Sequence, residues 1–112
     1  MIASSRTSIN QKTITDNIKI KGVGLHSGLE VNLILETAPV DNGIKFIRID
    51  QKNNNIIDAI WSNVSSTNLS TTISNGNVAV STIEHLMSAL SGLHIDNLNI
   101  YVDAPEVPIM DG

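Results

Sequence analysis

Apolar and polar residues alternate along much of the chain, and the alternation predicts strands. Ile14, Ile18 and Ile20 occupy even positions in TITDNIKIK, the period-2 spacing of a half-buried strand. Gly22, Gly24 and Gly28 punctuate KGVGLHSGLE, a glycine-rich turn into the next strand. There Val31, Leu33 and Leu35 alternate with Asn32 and Glu36, so the second strand is predicted from Glu30 to Thr37. Pro39 and Asn42-Gly43 break it. Ile44, Phe46 and Ile49 mark a less regular third strand, and Ile56 to Ile60 a short fourth beyond the polar Gln51 to Asn55. Asn75-Gly76, between TTIS and NVAV, is a strong hairpin signal that places both turn residues at positive φ. Leu98, Ile100 and Val102 form a last strand, ended by Pro105 and Pro108.

The period lengthens to that of a helix in STIEHLMSALSG. Ile83, Leu86, Met87 and Leu90 share one face, predicting a helix over Thr82–Ser91. Ser81 and Glu84 have the spacing of a capping box, Gly92 stops the helix, and His94 lies beyond the stop. With no internal repeat and no linker, the expected fold is α+β: one domain over 12–112 with a mainly antiparallel sheet and one clear helix. Residues 1–11 are expected to be a flexible leader, because they lack both the basic residues of a transit peptide and the apolar centre of a signal peptide.

Composition narrows the function classes. The 112 residues are 41% hydrophobic, which supports a packed core, and carry a net charge of −4, which argues against a nucleic-acid binder. One Trp, one Tyr and one Phe leave no stacking platform for single strands. No apolar run is long enough to cross a bilayer, so a cytoplasmic protein is expected, and the Asn63-Val64-Ser65 and Asn68-Leu69-Ser70 sequons are read as chance. Without cysteine, any metal must be held by histidine and carboxylate.

Two segments carry candidate chemistry. On a wheel of ~100° per residue, His85 points about 150° and Glu84 about 110° from Ile83, at the centre of the apolar stripe. His85 therefore faces solvent or a partner surface. A neutral imidazole near a helix start suits a metal, and the neighbouring carboxylate suits a base acting on water. The plainer alternative makes Glu84 a cap and His85 an ordinary surface residue. In Gly22–Gly28 the backbone N–H groups of a glycine-rich loop can approach an anion, and His26 can meet a phosphate or sugar. The alternative there is a glycine hairpin with an exposed histidine. Asn68 to Thr72 is rich in hydroxyls, whether for binding or as ordinary strand residues. His26, His85 and His94 lie in three separate segments and complete no zinc motif.

Together GVGLHSG, STIEHLMSAL, GLHIDNLNIYV and APEVPIMDG resemble, in order and spacing, the UDP-3-O-acyl-N-acetylglucosamine deacetylase family, zinc amidases of lipid A synthesis. The resemblance implies that His85 is a zinc ligand, that Glu84 is the catalytic carboxylate, and that Leu25, His26 and Ser70 line the pocket for the sugar and diphosphate of UDP-3-O-acyl-N-acetylglucosamine. It also implies a second, carboxyl-terminal domain that supplies the other zinc ligands, another catalytic histidine and the acyl passage. PIMDG falls where the family begins a second helix of its first domain. On this reading the chain is an incomplete amino-terminal domain holding one of the Zn2+ ligands, inactive by itself. Two other readings stay open: a truncated, non-catalytic remnant, and a nucleotide-sugar-binding module built on the His26 loop.

Overall fold

The computed structural model of the chain describes residues 10–108. Its strands are β1 (Ile18–Val23), β2 (Glu30–Thr37), β3 (Ile44–Arg48), β4 (Ile56–Asp58), β5 (Val64–Ser66), β6 (Thr72–Asn75), β7 (Val78–Ser81) and β8 (Leu98–Val102). Among the described residues there is one α-helix, α1 (Glu84–Gly92), and a turn of 3-10 helix at Trp61–Asn63 leads into β5. The expected α+β fold stands, with the strands divided between two sheets. Five form the order β1-β2-β8-β3-β4 and three form β5-β6-β7; among the strand pairs of the described residues β3–β8 is the parallel one, and a single parallel bridge joins Ser81 to Glu106.

The alternation read from β2 is what builds the core. Ile18, Leu35, Ile100, Phe46 and Ile57 are paired neighbours across all five strands, a single apolar row on one face of the large sheet. Phe46, Ile57 and Ile100 are fully buried, each worth about 1.5–3 kcal/mol of transfer free energy. The next row, Ile20, Leu33, Val102 and Arg48, ends on a charge. Arg48 is buried because its guanidinium is satisfied: Nε and Nη2 donate to Asp50 at 2.9 and 2.7 Å, and Nη1 donates to the Ala79 carbonyl on β7 at 2.8 Å. That last bond ties the two sheets together, and Ile73 and Val80 of the small sheet join the same core.

Three local expectations need correction. The β6–β7 hairpin forms, but Asn75 pairs with Val78, so its loop is Gly76-Asn77. Only Gly76 has positive φ there, the sign pattern of a type II′ turn with glycine first. The capping box does not form. Ser81 belongs to β7 and turns its Oγ to the Pro105 carbonyl at 3.3 Å; Thr82 sits at φ +61°, so the helix begins at Glu84 with no side-chain cap. At the other end Gly92 is helical and His94, at φ +60°, makes the reversal. Ile95 N–H donates to the Leu90 carbonyl and His94 N–H to the Ser91 carbonyl, a Schellman motif in which Ile95 and Leu90 both join the core.

Of the expected leader, residues 1–9 lie outside the described residues. Gln11 accepts from Asp41 N and Asn97 Nδ2, both at 2.8 Å, and the Lys12 carbonyl receives Asp96 and Asn97 N–H, fastening the chain beside β8.

Candidate active site

Three connections converge on the start of α1. The β1–β2 loop is closed by Gly24 N–H to the Leu29 carbonyl and by Gly28 N–H to the Gly24 carbonyl, both at 2.9 Å. Beyond β8 the chain runs alongside the end of β7, with Ser81 N–H on the Pro105 carbonyl at 2.9 Å and Val107 N–H on the Ser81 carbonyl at 3.0 Å. The β5–β6 connection supplies the third wall. Between them lies a cavity of about 280 Å³. Leu25, His26, Ser70, Glu84 and His85 all border it, so the five positions singled out in the sequence are brought together.

Helix α1 buries Leu86 and Leu90 and leaves His85 exposed, as the apolar stripe requires. Glu84, in the first turn and half-buried, accepts the Thr71 backbone N–H at 3.2 Å. The carboxylate therefore joins the hydroxyl-rich segment to the helix instead of capping the helix.

The glycine-rich loop does cradle an anion, and the anion is a side chain of the same molecule. Glu106 is buried, and its Oε1 accepts Ser27 N–H at 2.9 Å, while its Oε2 accepts His26 N–H at 3.0 Å. Its Oε2 also lies 3.0 Å from His26 Nδ1 and 3.3 Å from Thr82 Oγ1. Burial pushes the Glu106 carboxyl up, but the backbone N–H groups of His26 and Ser27, with the Ser27 hydroxyl and the charge of His26, hold it below its ordinary value. Gly24 is required at this point, since a Cβ there would collide with Glu106 Oε1 and stand 2.5 Å from Ser27 Oγ. Because the His26 and Ser27 N–H groups are occupied, any ligand of this loop must be met by the His26 ring and its neighbours.

Glu106 and Thr82 are the site residues that sequence reasoning missed. A lone carboxylate between Pro105 and Val107-Pro108, in an otherwise apolar run, is the signal that marks Glu106. Nothing in the sequence marks Thr82, a β-branched residue in the left-handed region, whose strain is outweighed by its burial and its bond to Glu106.

As a metal site the residues are incomplete. Among the described residues no three His, Cys, Asp or Glu side chains gather around one point, whereas a hydrolytic zinc site takes three protein ligands. His85 fits as one donor; the Nδ1 of His26 is committed to Glu106.

Fold and cavity define an α+β domain with an adjacent carboxylate and imidazole at the mouth of a pocket. The UDP-3-O-acyl N-acetylglycosamine deacetylase (LpxC) family model matches residues 11–112, and the chain belongs to this family of zinc-dependent hydrolases of lipid A biosynthesis. It is 53% identical over 104 residues to the UDP-3-O-acyl-N-acetylglucosamine deacetylase of Thioalkalivibrio sulfidiphilus, covering 93% of this chain and 34% of that protein. The deacetylase of Teredinibacter turnerae is 54% identical with the same coverage, and that of Myxococcus xanthus is 48% identical over 95% of this chain and 34% of its own length. The chain thus spans about a third of the length of the curated relatives it matches. Among the described residues no helix is long and apolar enough to cross a membrane.

Proposed function

We propose that the chain contributes Glu84 and His85 to the hydrolysis of the N-acetyl group of UDP-3-O-acyl-N-acetylglucosamine, yielding acetate and a free glucosamine amine in the cytoplasm. The supporting observation is that these two residues, adjacent in the first turn of α1, border the same cavity as Leu25, His26 and Ser70. Glu84 takes a proton from the attacking water and returns it to the departing amine. The Thr71 N–H holds its Oε1, which leaves Oε2 to carry that proton. Leu25, His26 and Ser70 line the side that receives the sugar and diphosphate. His85 offers one nitrogen to zinc, which when bound polarises the carbonyl and acidifies water. The other donors, as the family resemblance implies, belong to a carboxyl-terminal domain, and the chain alone is inactive.

The test uses a protein that joins this chain to such a domain. Glu84→Ala should lower kcat by about 10²–10⁴-fold while zinc is retained. His85→Ala should lose both zinc and turnover, and normal values of both in that variant would end the proposal. A second reading rests on the His26 pocket being formed while the metal donors are incomplete: the chain binds a nucleotide sugar without catalysis. Calorimetry with UDP on the chain decides it, an absence of heat removing this second reading.

A further inference from the structure

Glu106 receives more hydrogen bonds than holding a turn requires. Its two oxygens take the N–H groups of His26 and Ser27, the Thr82 hydroxyl and one nitrogen of the His26 ring, and no buried side-chain polar atom of the described residues is left without a partner. The side chain is 4% exposed, while that of His26 is 46% exposed and borders the cavity. One end of the imidazole is therefore anchored in the interior and the other is available to whatever enters.

We propose that Glu106 is the positioning residue of this pocket: it holds His26 with the proton on Nδ1 and presents Nε2 to the cavity. Donor and acceptor chemistry decides the tautomer. An ionised carboxylate only accepts hydrogen bonds, so the 3.0 Å contact from Nδ1 to Oε2 requires a proton on Nδ1. A neutral imidazole carries one N–H, which makes Nε2 an acceptor for a hydroxyl. When the ring gains a second proton, Nε2 becomes a donor to a phosphoryl oxygen and Nδ1 keeps its bond to Glu106, now strengthened by opposite charge. In either state it is Nε2 that answers to the ligand. The carboxylate also fixes the ring plane, because Oε2 holds the backbone N–H and the ring of the same residue, a two-point grip that leaves little torsional freedom. That Nε2 meets the sugar or diphosphate rests on the function proposed above; the tautomer does not.

The test is therefore made on the ring itself. Nitrogen-15 histidine labelling of the chain, read through two-bond couplings to the ring carbons' protons, distinguishes the two tautomers. At a pH where His26 is neutral, the pattern expected is nitrogen-bound proton at Nδ1 and bare nitrogen at Nε2. In Glu106→Ala, which removes the acceptor altogether, the Nδ1–H form should fall from nearly the whole population to a minority. A purely structural Glu106 would leave the His26 pattern unchanged in a folded Ala variant. Nε2–H in the wild-type chain overturns the proposal, and so does an unchanged pattern in the folded variant. The wild-type spectrum alone decides it if the Ala variant does not fold. Absence of deacetylation by the protein that joins this chain to a carboxyl-terminal domain would count against the proposed function and leave this result intact.

Discussion

Oε1 of Glu84 accepts the backbone N–H of Thr71 at 3.2 Å, joining the first turn of α1 to the strand entry that carries Ser70. The carboxylate thus has a structural bond and, in the proposed mechanism, a chemical duty. The two separate by substitution. Glu84→Gln keeps an acceptor for Thr71 and should cost almost no stability, yet reduce turnover as far as Glu84→Ala does. Glu84→Ala should cost in addition about 0.5–1.5 kcal/mol for the lost bond. Thermal midpoints alongside kcat check this; a Gln variant with full turnover would remove Glu84 as the base.

Gly24 tests the buried anion from the other side. A methyl group at this position meets Glu106 Oε1 and Cδ, and Ser27 Oγ at 2.5 Å. Ordinarily the end of a glutamate yields cheaply, but this one is held by the His26 and Ser27 N–H groups and by Thr82. Gly24→Ala should therefore cost about 1–3 kcal/mol and disturb the His26 ring signals. At Gly28 nothing lies within 4 Å of an added Cβ, so Gly28→Ala meets only the strain of φ +71° and should leave those ring signals in place. Equal perturbation of the ring by both variants would contradict the contact.

What the sequence made legible was whatever depends on period alone. The alternation bounds strand β2 correctly because Val31, Leu33 and Leu35 all face one core, and the helical period turns His85 outward because Leu86 and Leu90 define the buried stripe. Features set by tertiary contact were not legible. Strand β5 has no fully buried residue to give it a pattern. The hairpin register slipped by one because the pairing of Asn75 with Val78 leaves Gly76 first in the loop. The gathering of Leu25, His26 and Ser70 was expected through resemblance. Glu106, which organises two of the connections around them, acts on residues some 80 positions away.

Acid stability follows from two depressed carboxyls. Arg48 hydrogen bonds hold Asp50 below its ordinary 3.8, offset in part by burial, and the loop N–H groups hold Glu106 below 4.5 against the upward push of burial. A group whose folded value lies below its unfolded value stabilises the fold above the unfolded value, and that contribution disappears as pH falls through the folded value. Stability should thus be level near neutrality and decline below about pH 4.5. Asp50→Asn and Glu106→Gln should each start lower and decline less steeply with acid. Tyr101 works at the opposite limit. Its hydroxyl donates to Glu36 at 2.8 Å, and that bond, then burial, then the Glu36 charge raise it above 10.0. Its contribution is complete below 10.0 and is lost as pH rises through the folded value, so Tyr101→Phe should flatten the alkaline decline. Thermal midpoints across the range decide it, and acid limbs of unchanged slope in both carboxamide variants would refute the assignment.

The end of α1 offers a sharper opposition, because two accounts of it predict opposite signs. If Gly92 stopped the helix through glycine's freedom at positive φ, Gly92→Ala would strain the backbone and destabilise the chain. In the structure Gly92 is within the helix, is absent from the positive-φ residues, and has nothing within 4 Å of an added Cβ. Gly92→Ala should instead stabilise by about 0.5–1 kcal/mol, the ordinary gain of alanine over glycine in a helix. The left-handed position belongs to His94, at φ +60°, whose N–H and that of Ile95 close the Schellman motif. A non-glycine residue there carries roughly 1–2 kcal/mol of steric cost, set against the extra backbone entropy that glycine brings to the unfolded chain. His94→Gly should therefore gain up to about 1 kcal/mol, while His94→Val, β-branched in the same conformation, should lose stability. Urea midpoints for the three variants separate the accounts: a fall for Gly92→Ala would return the stop to Gly92, and a rise for His94→Val would remove it from His94.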